Sequence, residues 1–205
     1  MIVIVDYGMG NLRSILNKLQ RMSEDVIVSS DINAIEQANK LVLPGVGSFE
    51  TGMANLQERC LLSVLKWKVL EENTPILGIC LGMQLLTLSS EEGDVEGLGW
   101  IDGETKQFNL GEHHSSLRVP HMGWNSIDIH RESPILHGVH SDSEFYFVHS
   151  YHVCCRADSS VIATTNYGYE FASVIQKERI YGTQFHPEKS HGNGSSILKN
   201  FIERA

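Results

Sequence analysis

The sequence predicts an α/β protein with a mostly parallel central sheet, helices on both faces, and a mixed, antiparallel extension in its second half. Two observations carry this. The first 90 or so residues alternate short apolar runs with amphipathic stretches, and the region from about 100 to 182 holds only short strand-like runs between Gly, Ser and Asp-rich turns. Strand–helix alternation requires right-handed crossovers, which build a parallel sheet covered on both sides. The length of 205 residues suits one compact unit spanning 1–205 with a sizeable core.

The elements follow in order. An apolar strand at 2–5 leads through a Gly8–Gly10 turn into a helix over 11–22, with Leu12, Ile15, Leu16 and Leu19 on one face. A weak strand at 26–28, a short helix at 32–37, a strand at 40–43 and a longer helix within 51–70 come next. The segment 75–79 is apolar apart from its glycine and runs into a helix over 82–88. Later strands are expected at 126–129, 145–149, 161–165, 172–176 and 180–184, before a last helix near 195–203. Repeats, low-complexity tracts and clear linkers are absent.

Composition excludes several classes. With 41% hydrophobic and 20% charged residues the chain is neither disordered nor collagen-like. A formal charge of −9 disfavours nucleic acid and anionic membranes. The first apolar run is broken by Asp6 and lacks the features of a secretory leader, and no stretch reaches the length of a membrane span. A cytoplasmic location is the expectation. Cys60, Cys80, Cys154 and Cys155 form no CxxC pair, which fits reduced thiols better than a disulfide framework or a zinc site. Three of them read as packing residues, leaving Cys80.

Cys80 stands in Gly78-Ile79-Cys80-Leu81-Gly82 at the junction of a strand and a helix. Glycines two positions either side of a nucleophile permit the tight turn that lifts its side chain above the sheet, beside backbone N–H groups able to hold an oxyanion. A free cysteine is more often a small buried hydrophobe, but the flanking glycines favour the nucleophile. Its base would come from His186-Pro187-Glu188 at the end of a later strand, with the carboxylate accepting the second imidazole N–H. Alone, the tripeptide reads as one of ten histidines beside a surface charge; with the elbow it completes a Cys, His, Glu triad. Pro44-Gly45-Val46-Gly47 ends another strand on the same edge, either as a plain turn or as a second oxyanion donor beside the Leu81 N–H. Asp6–Asn11 lacks the third glycine of a dinucleotide loop, so nucleotide binding is disfavoured.

Taken together, these residues resemble the class I (triad) glutamine amidotransferases. Six segments, Asp6–Leu12, Pro44–Phe49, Gly78–Gln84, Pro120–Asn125, Phe147–Tyr151 and Gln184–Ser190, are similar in order to the glutaminase subunits of imidazole glycerol phosphate synthase. The likeness spans essentially the whole chain and implies a flavodoxin-like fold. It implies that Cys80 attacks the side-chain amide of glutamine, His186 serves as base then acid, and Glu188 orients it. Val46, Gly47 and Leu81 would stabilise the oxyanion, and Gln84, Glu92, Ser150 and Tyr151 would hold the amino-acid end of the substrate. Ammonia would pass to a (β/α)8-barrel synthase subunit that adds it to a ribulosyl-imidazolecarboxamide nucleotide. The two chains would pair as a heterodimer with no metal or organic cofactor. Met122, Trp124, Asn125 and Lys189 fall on interface positions, although Met122 and Trp124 also read as core. One departure stands out: His191 follows Lys189-Ser190 where these subunits usually carry glycine, and Ser150 stands where threonine is commoner. A histidine there resembles a paralogous group that supplies ammonia for sugar amidination in surface polysaccharide synthesis, which leaves the acceptor open. Another Cys hydrolase of this fold would place histidine beside the nucleophile, where Leu81 stands; a silent binding partner would not need an intact triad.

Overall fold

The computed structural model describes residues 1–23, 25–111 and 117–205. In chain order the strands are β1 (Ile2–Val5), β2 (Val26–Ser29), β3 (Lys40–Gly45), β4 (Ile76–Cys80), β5 (Ser89–Ser90), β6 (Val95–Glu96), β7 (Gly103–Gln107), β8 (His121–Ser126), β9 (Asp128–Ile129), β10 (Glu144–His149), β11 (Tyr151–Cys155), β12 (Val161–Asn166), β13 (Glu170–Lys177) and β14 (Ile180–Thr183). The helices are α1 (Leu12–Gln20), α2 (Ile32–Glu36), α3 (Phe49–Glu58), α4 (Leu61–Lys66), α5 (Leu81–Leu85) and α6 (His191–Arg204). No helix among the described residues is long and apolar enough to cross a membrane.

The parallel block β2-β1-β3-β4-β14 continues through antiparallel β13, β11 and β7 to β5 and β6, with β12 and β9 beside β13. Strands β8 and β10 pair apart from this sheet as an antiparallel ribbon. The alternation of the central strands sorts the core. Ile2, Ile4, Val42, Leu77 and Ile79 pack on one face with α1 and α6, and Val3, Val5, Leu41, Leu43 and Ile76 pack on the other with α3 to α5. Burial on both faces is why these strands read as continuous apolar runs.

Local chemistry sets the boundaries. Asn11 caps α1, its side chain accepting from Ser14 N at 3.2 Å, and Ser48 caps α3. The single helix expected within 51–70 is three pieces: Cys60 adopts φ 57° between α3 and α4, and a π-turn, Trp67–Glu71, follows α4. Cys60 is exposed at that break, which corrects its reading as a packing residue; Cys154 and Cys155 are half-buried in β11. The strand expected at 126–129 covers only the last residue of β8 and the short β9, with Ile127 turned into the core between them. Strands β5, β6, β7 and β11 and most of β8 lie outside the expected strands.

Parallel topology positions the site. β3, β4 and β14 lie side by side, with Gly45 opposite Cys80 and Thr183 opposite Ile79, so their carboxyl ends bring three loops to one edge.

Candidate active site

The glycine motif around Cys80 exists for packing as much as for conformation. A Cβ on Gly78 would lie 2.7 Å from the Gly82 carbonyl oxygen, and one on Gly82 would overlap the Leu43 carbonyl of β3. Only glycine lets the start of α5 settle between β3 and β4. Cys80 itself, at φ 54° and ψ −109°, holds a strained conformation, as expected where a tight strand–helix turn raises a side chain above the sheet.

Its sulfur is nearly buried, 3.8 Å from the Val148 carbonyl and 3.7 Å from Gln184 Nε2. His186 follows β14, and its Nδ1 meets Glu188 Oε1 at 2.8 Å with both side chains buried. Among the described residues, neither His186 Nε2 nor Glu188 Oε2 has a further hydrogen-bond partner. Burial disfavours the imidazolium, but the Cys80 sulfur and the Glu188 carboxylate beside it outweigh burial and raise the His186 pKa to about 10. The ring is therefore a strong proton acceptor whose orientation is fixed from behind. Two hydrogen bonds anchor this segment to the ribbon: His186 N donates to Tyr146 O at 2.9 Å, and Tyr146 N donates to Ser190 Oγ at 3.0 Å.

A cavity of about 370 Å³ opens onto the sulfur. Val46, Gly47, Leu81, Gln84, Glu92, Ser150 and Tyr151 all line it, so every oxyanion and substrate residue expected from the sequence meets Cys80 in one space. Two of them carry prior commitments. Gln84 Nε2 donates to Tyr151 O (2.8 Å) and to Gln184 Oε1 (3.1 Å), which leaves its Oε1 for a ligand. Glu92 Oε2 accepts from Phe49 N at the start of α3, at 2.8 Å. Among the described residues no group of three His, Cys, Asp or Glu is arranged to hold a metal ion.

Sequence reasoning missed three contributors. The buried Tyr7 hydroxyl donates to Pro44 O and packs where a Gly45 Cβ would lie, holding the Pro44–Gly47 loop; burial, and then Cys80, keep its pKa raised. Gln184 touches the sulfur, and His149 lines the cavity beside Ser150. All three lie within or beside the recognised segments, but apart from their neighbours in space nothing marked them. The four expected interface residues cluster away from the cavity floor. Met122 and Trp124 are 62% and 44% exposed, which rules out the core reading; Asn125 is half-buried, and the exposed Lys189 lies over the Tyr146 ring, 5.5 Å from its centroid.

This α/β sheet edge carries a strained cysteine, a buried His–Glu pair and a cavity lined by Gln84 and Glu92. The family model "Glutamine amidotransferase class-I" matches residues 3–205, and the chain belongs to that family. Its relatives include imidazole glycerol phosphate synthase subunit HisH 2 of Methanococcus maripaludis, 48% identical with both chains covered in full, and HisH 2 of Pseudomonas aeruginosa, 45% identical over 99% of each. Among solved structures, a glutamine amidotransferase (TM-score 0.72, 17% identity, 99% and 98% covered) and PurLQS from Thermotoga maritima (0.73, 17%, 98% and 96%) share the fold.

Proposed function

We propose that this protein is the glutaminase subunit of imidazole glycerol phosphate synthase, hydrolysing glutamine to glutamate and ammonia for a (β/α)8-barrel synthase subunit. The observation that carries it is a strained Cys80 that lines the cavity and neighbours the His186 ring, which is itself held by the buried Glu188, in a chain whose full-length relatives bear that name.

In this reading Cys80 Sγ attacks the side-chain carbonyl carbon of glutamine with its proton already carried on His186 Nε2, where the raised imidazole pKa holds it and no other partner competes. Backbone N–H groups at Val46, Gly47 and Leu81 hold the oxyanion. His186 then protonates the leaving nitrogen, ammonia departs and a glutamyl thioester remains. Water, deprotonated by the same ring, releases glutamate and restores the thiol. Glu188 keeps Nδ1 protonated throughout. Glu92 and Gln84 Oε1 take the substrate ammonium, and the Ser150–Tyr151 backbone takes its carboxylate. A sealed route to the partner keeps ammonia unprotonated and nucleophilic, and Met122, Trp124, Asn125 and Lys189 form the docking face.

A second acceptor, a sugar amidated in surface polysaccharide synthesis, is favoured by one feature. His191 occupies a left-handed backbone position (φ 46°) suited to glycine and stacks on Trp124 with centroids 5.1 Å apart and planes 7° from parallel, altering the docking face. One assay addresses both: glutamate formation from glutamine by the chain alone, with the synthase barrel, and with the ribulosyl-imidazolecarboxamide nucleotide added. Stimulation by both, with imidazole glycerol phosphate formed and all turnover lost in Cys80→Ala, is the expected outcome. A thioester trapped at Cys80 without stimulation would move the proposal to the sugar acceptor, and ammonia release by Cys80→Ala would refute the triad.

A further inference from the structure

Strands β8 and β10 pair His121 directly opposite His149, and cross-strand partners in an antiparallel ribbon bring their side chains together. Both rings are buried, with His121 Nδ1 3.1 Å from His149 Nε2. The polarity of this contact follows from its neighbours. His149 Nδ1 lies 2.8 Å from Tyr151 O, and a carbonyl only accepts, so Nδ1 carries the proton. Nε2 of the neutral ring is then an acceptor, and His121 Nδ1–H must donate to it. That leaves His121 Nε2 as an acceptor for Asn125 Nδ2 at 3.3 Å. The Asn125 amide is itself oriented: Nδ2 donates to Asn166 O and Oδ1 accepts from Ser126 N.

The result is a one-directional chain of donors, Asn125 to His121 to His149 to Tyr151 O. There it meets Gln84 Nε2, which donates to the same carbonyl and to Gln184, whose own amide reaches Cys80 Sγ. The chain runs from the exposed ribbon bearing Met122 and Trp124 to the nucleophile. It ends on a carbonyl oxygen that cannot pass a proton onward, so it serves geometry rather than proton transfer.

We propose that His121 and His149 are positioning residues: a neutral imidazole relay that sets the Tyr151 carbonyl, and with it the Ser150–Tyr151 backbone and Gln84, at the amino-acid end of the substrate. The proposal rests on the glutaminase reading for its substrate, while its tautomers are independent of that reading. Burial keeps both imidazoles neutral, and the ionisable groups nearest His149, namely His121, His152 and His186, add no negative charge that would restore a proton.

The test has two arms. Nitrogen-15 NMR of the histidine-labelled chain is expected to show Nδ1–H, Nε2-unprotonated tautomers for His121 and His149, unchanged between pH about 5.5 and 8. An Nε2–H tautomer at either ring, or titration in that range, overturns the relay. In the complex with the synthase subunit, His149→Leu is expected to raise the glutamine KM about tenfold or more with kcat within about threefold, because a buried acceptor loses its donor. His149→Asn, whose Nδ2 replaces Nδ1, restores KM to within about threefold; His121→Phe, which keeps the stacks on Phe147 and Tyr167, raises it severalfold. A purely structural role would lower kcat and stability together with no rescue by Asn, and unchanged KM in His149→Leu overturns the proposal. Should His149→Leu fail to fold, the Asn and Phe variants and the tautomers decide. Wild-type complex that makes no glutamate would refute the glutaminase reading and leave the tautomer arm standing.

Discussion

Acidification offers the most quantitative test of the buried imidazoles. Burial holds His121 down at about 4 and His149 down at about 3, against an ordinary value of 6.5. A base whose folded pKa is depressed binds protons more readily unfolded, so its contribution to stability is present above pH 6.5 and is lost as pH falls toward the folded value. Between pH 7 and 5 the linkage amounts to about 2 kcal/mol for His149 and, halved for solvent screening at His121 beside the half-buried Asn125, about 1 more, at 1.36 kcal/mol per unit. His186 runs the other way: its raised pKa adds stability that is complete only well below 6.5 and is lost as pH climbs toward about 10, so between pH 7 and 5 it offsets about 0.8 kcal/mol of that loss. The expected net loss of about 2 kcal/mol is a large part of a typical total of about 5–15 kcal/mol. Urea denaturation at pH 7 and pH 5 measures it, and His121→Phe should remove about half of the difference. Equal stability at both pH values would refute the neutral, buried state of the pair.

Three substitutions probe the rest of the site. Glu188→Gln leaves His186 Nδ1 facing a neutral amide, or turns NH₂ toward it and forces the wrong tautomer. Loss of the charge-assisted bond alone costs roughly 10–100-fold, and the wrong tautomer up to ~10⁴, in kcat, with glutamine KM nearly unchanged in steady-state assays of the complex. Gly82→Ala drives a methyl group into the Leu43 carbonyl, and a destabilisation of about 3 kcal/mol or more is expected by denaturant titration. Trp124→Ala removes a half-exposed ring stacked on His191; stability should fall by about 1 kcal/mol while partner affinity, followed by calorimetry, falls by about 2 kcal/mol.

The parallel half of the fold was legible because its strands are buried on both faces, so that Ile2–Val5 and Ile76–Ile79 show their burial as unbroken apolar runs. β7, reading GETKQ, and β11, reading YHVCC, carry no such run; β7 turns Gly103 and Thr105 inward, and β11 follows β10 after Ser150 alone with no turn signal. The sequence puts the start of α6 four residues late because Gly192-Asn193-Gly194 has poor helix propensity. Packing overrides it: a side chain at Gly194 would overlap the Pro187 carbonyl. The Cys80 elbow and the His186–Glu188 pair are readable because both are local motifs. The Tyr7, Gln184 and His121–His149 contacts are set by register between distant strands, which one sequence does not display.

That register explains why the ribbon stands apart from the sheet. A strand added to the sheet would spend its backbone groups on sheet neighbours, whereas β10 keeps them for the site: Tyr146 O receives His186 N, Tyr146 N binds Ser190 Oγ, and Val148 O lies beside the sulfur. On its other face, Tyr146 is the cross-strand partner of Trp124, and Val148 that of Met122. Tyr146 thus presents its backbone to the His186 segment and Val148 its carbonyl to the thiol, while both pair across the ribbon with the exposed Trp124 and Met122. In the proposed complex, a partner seated on that face would press on the residues whose backbone holds His186 and covers Cys80, and docking and chemistry would share one ribbon.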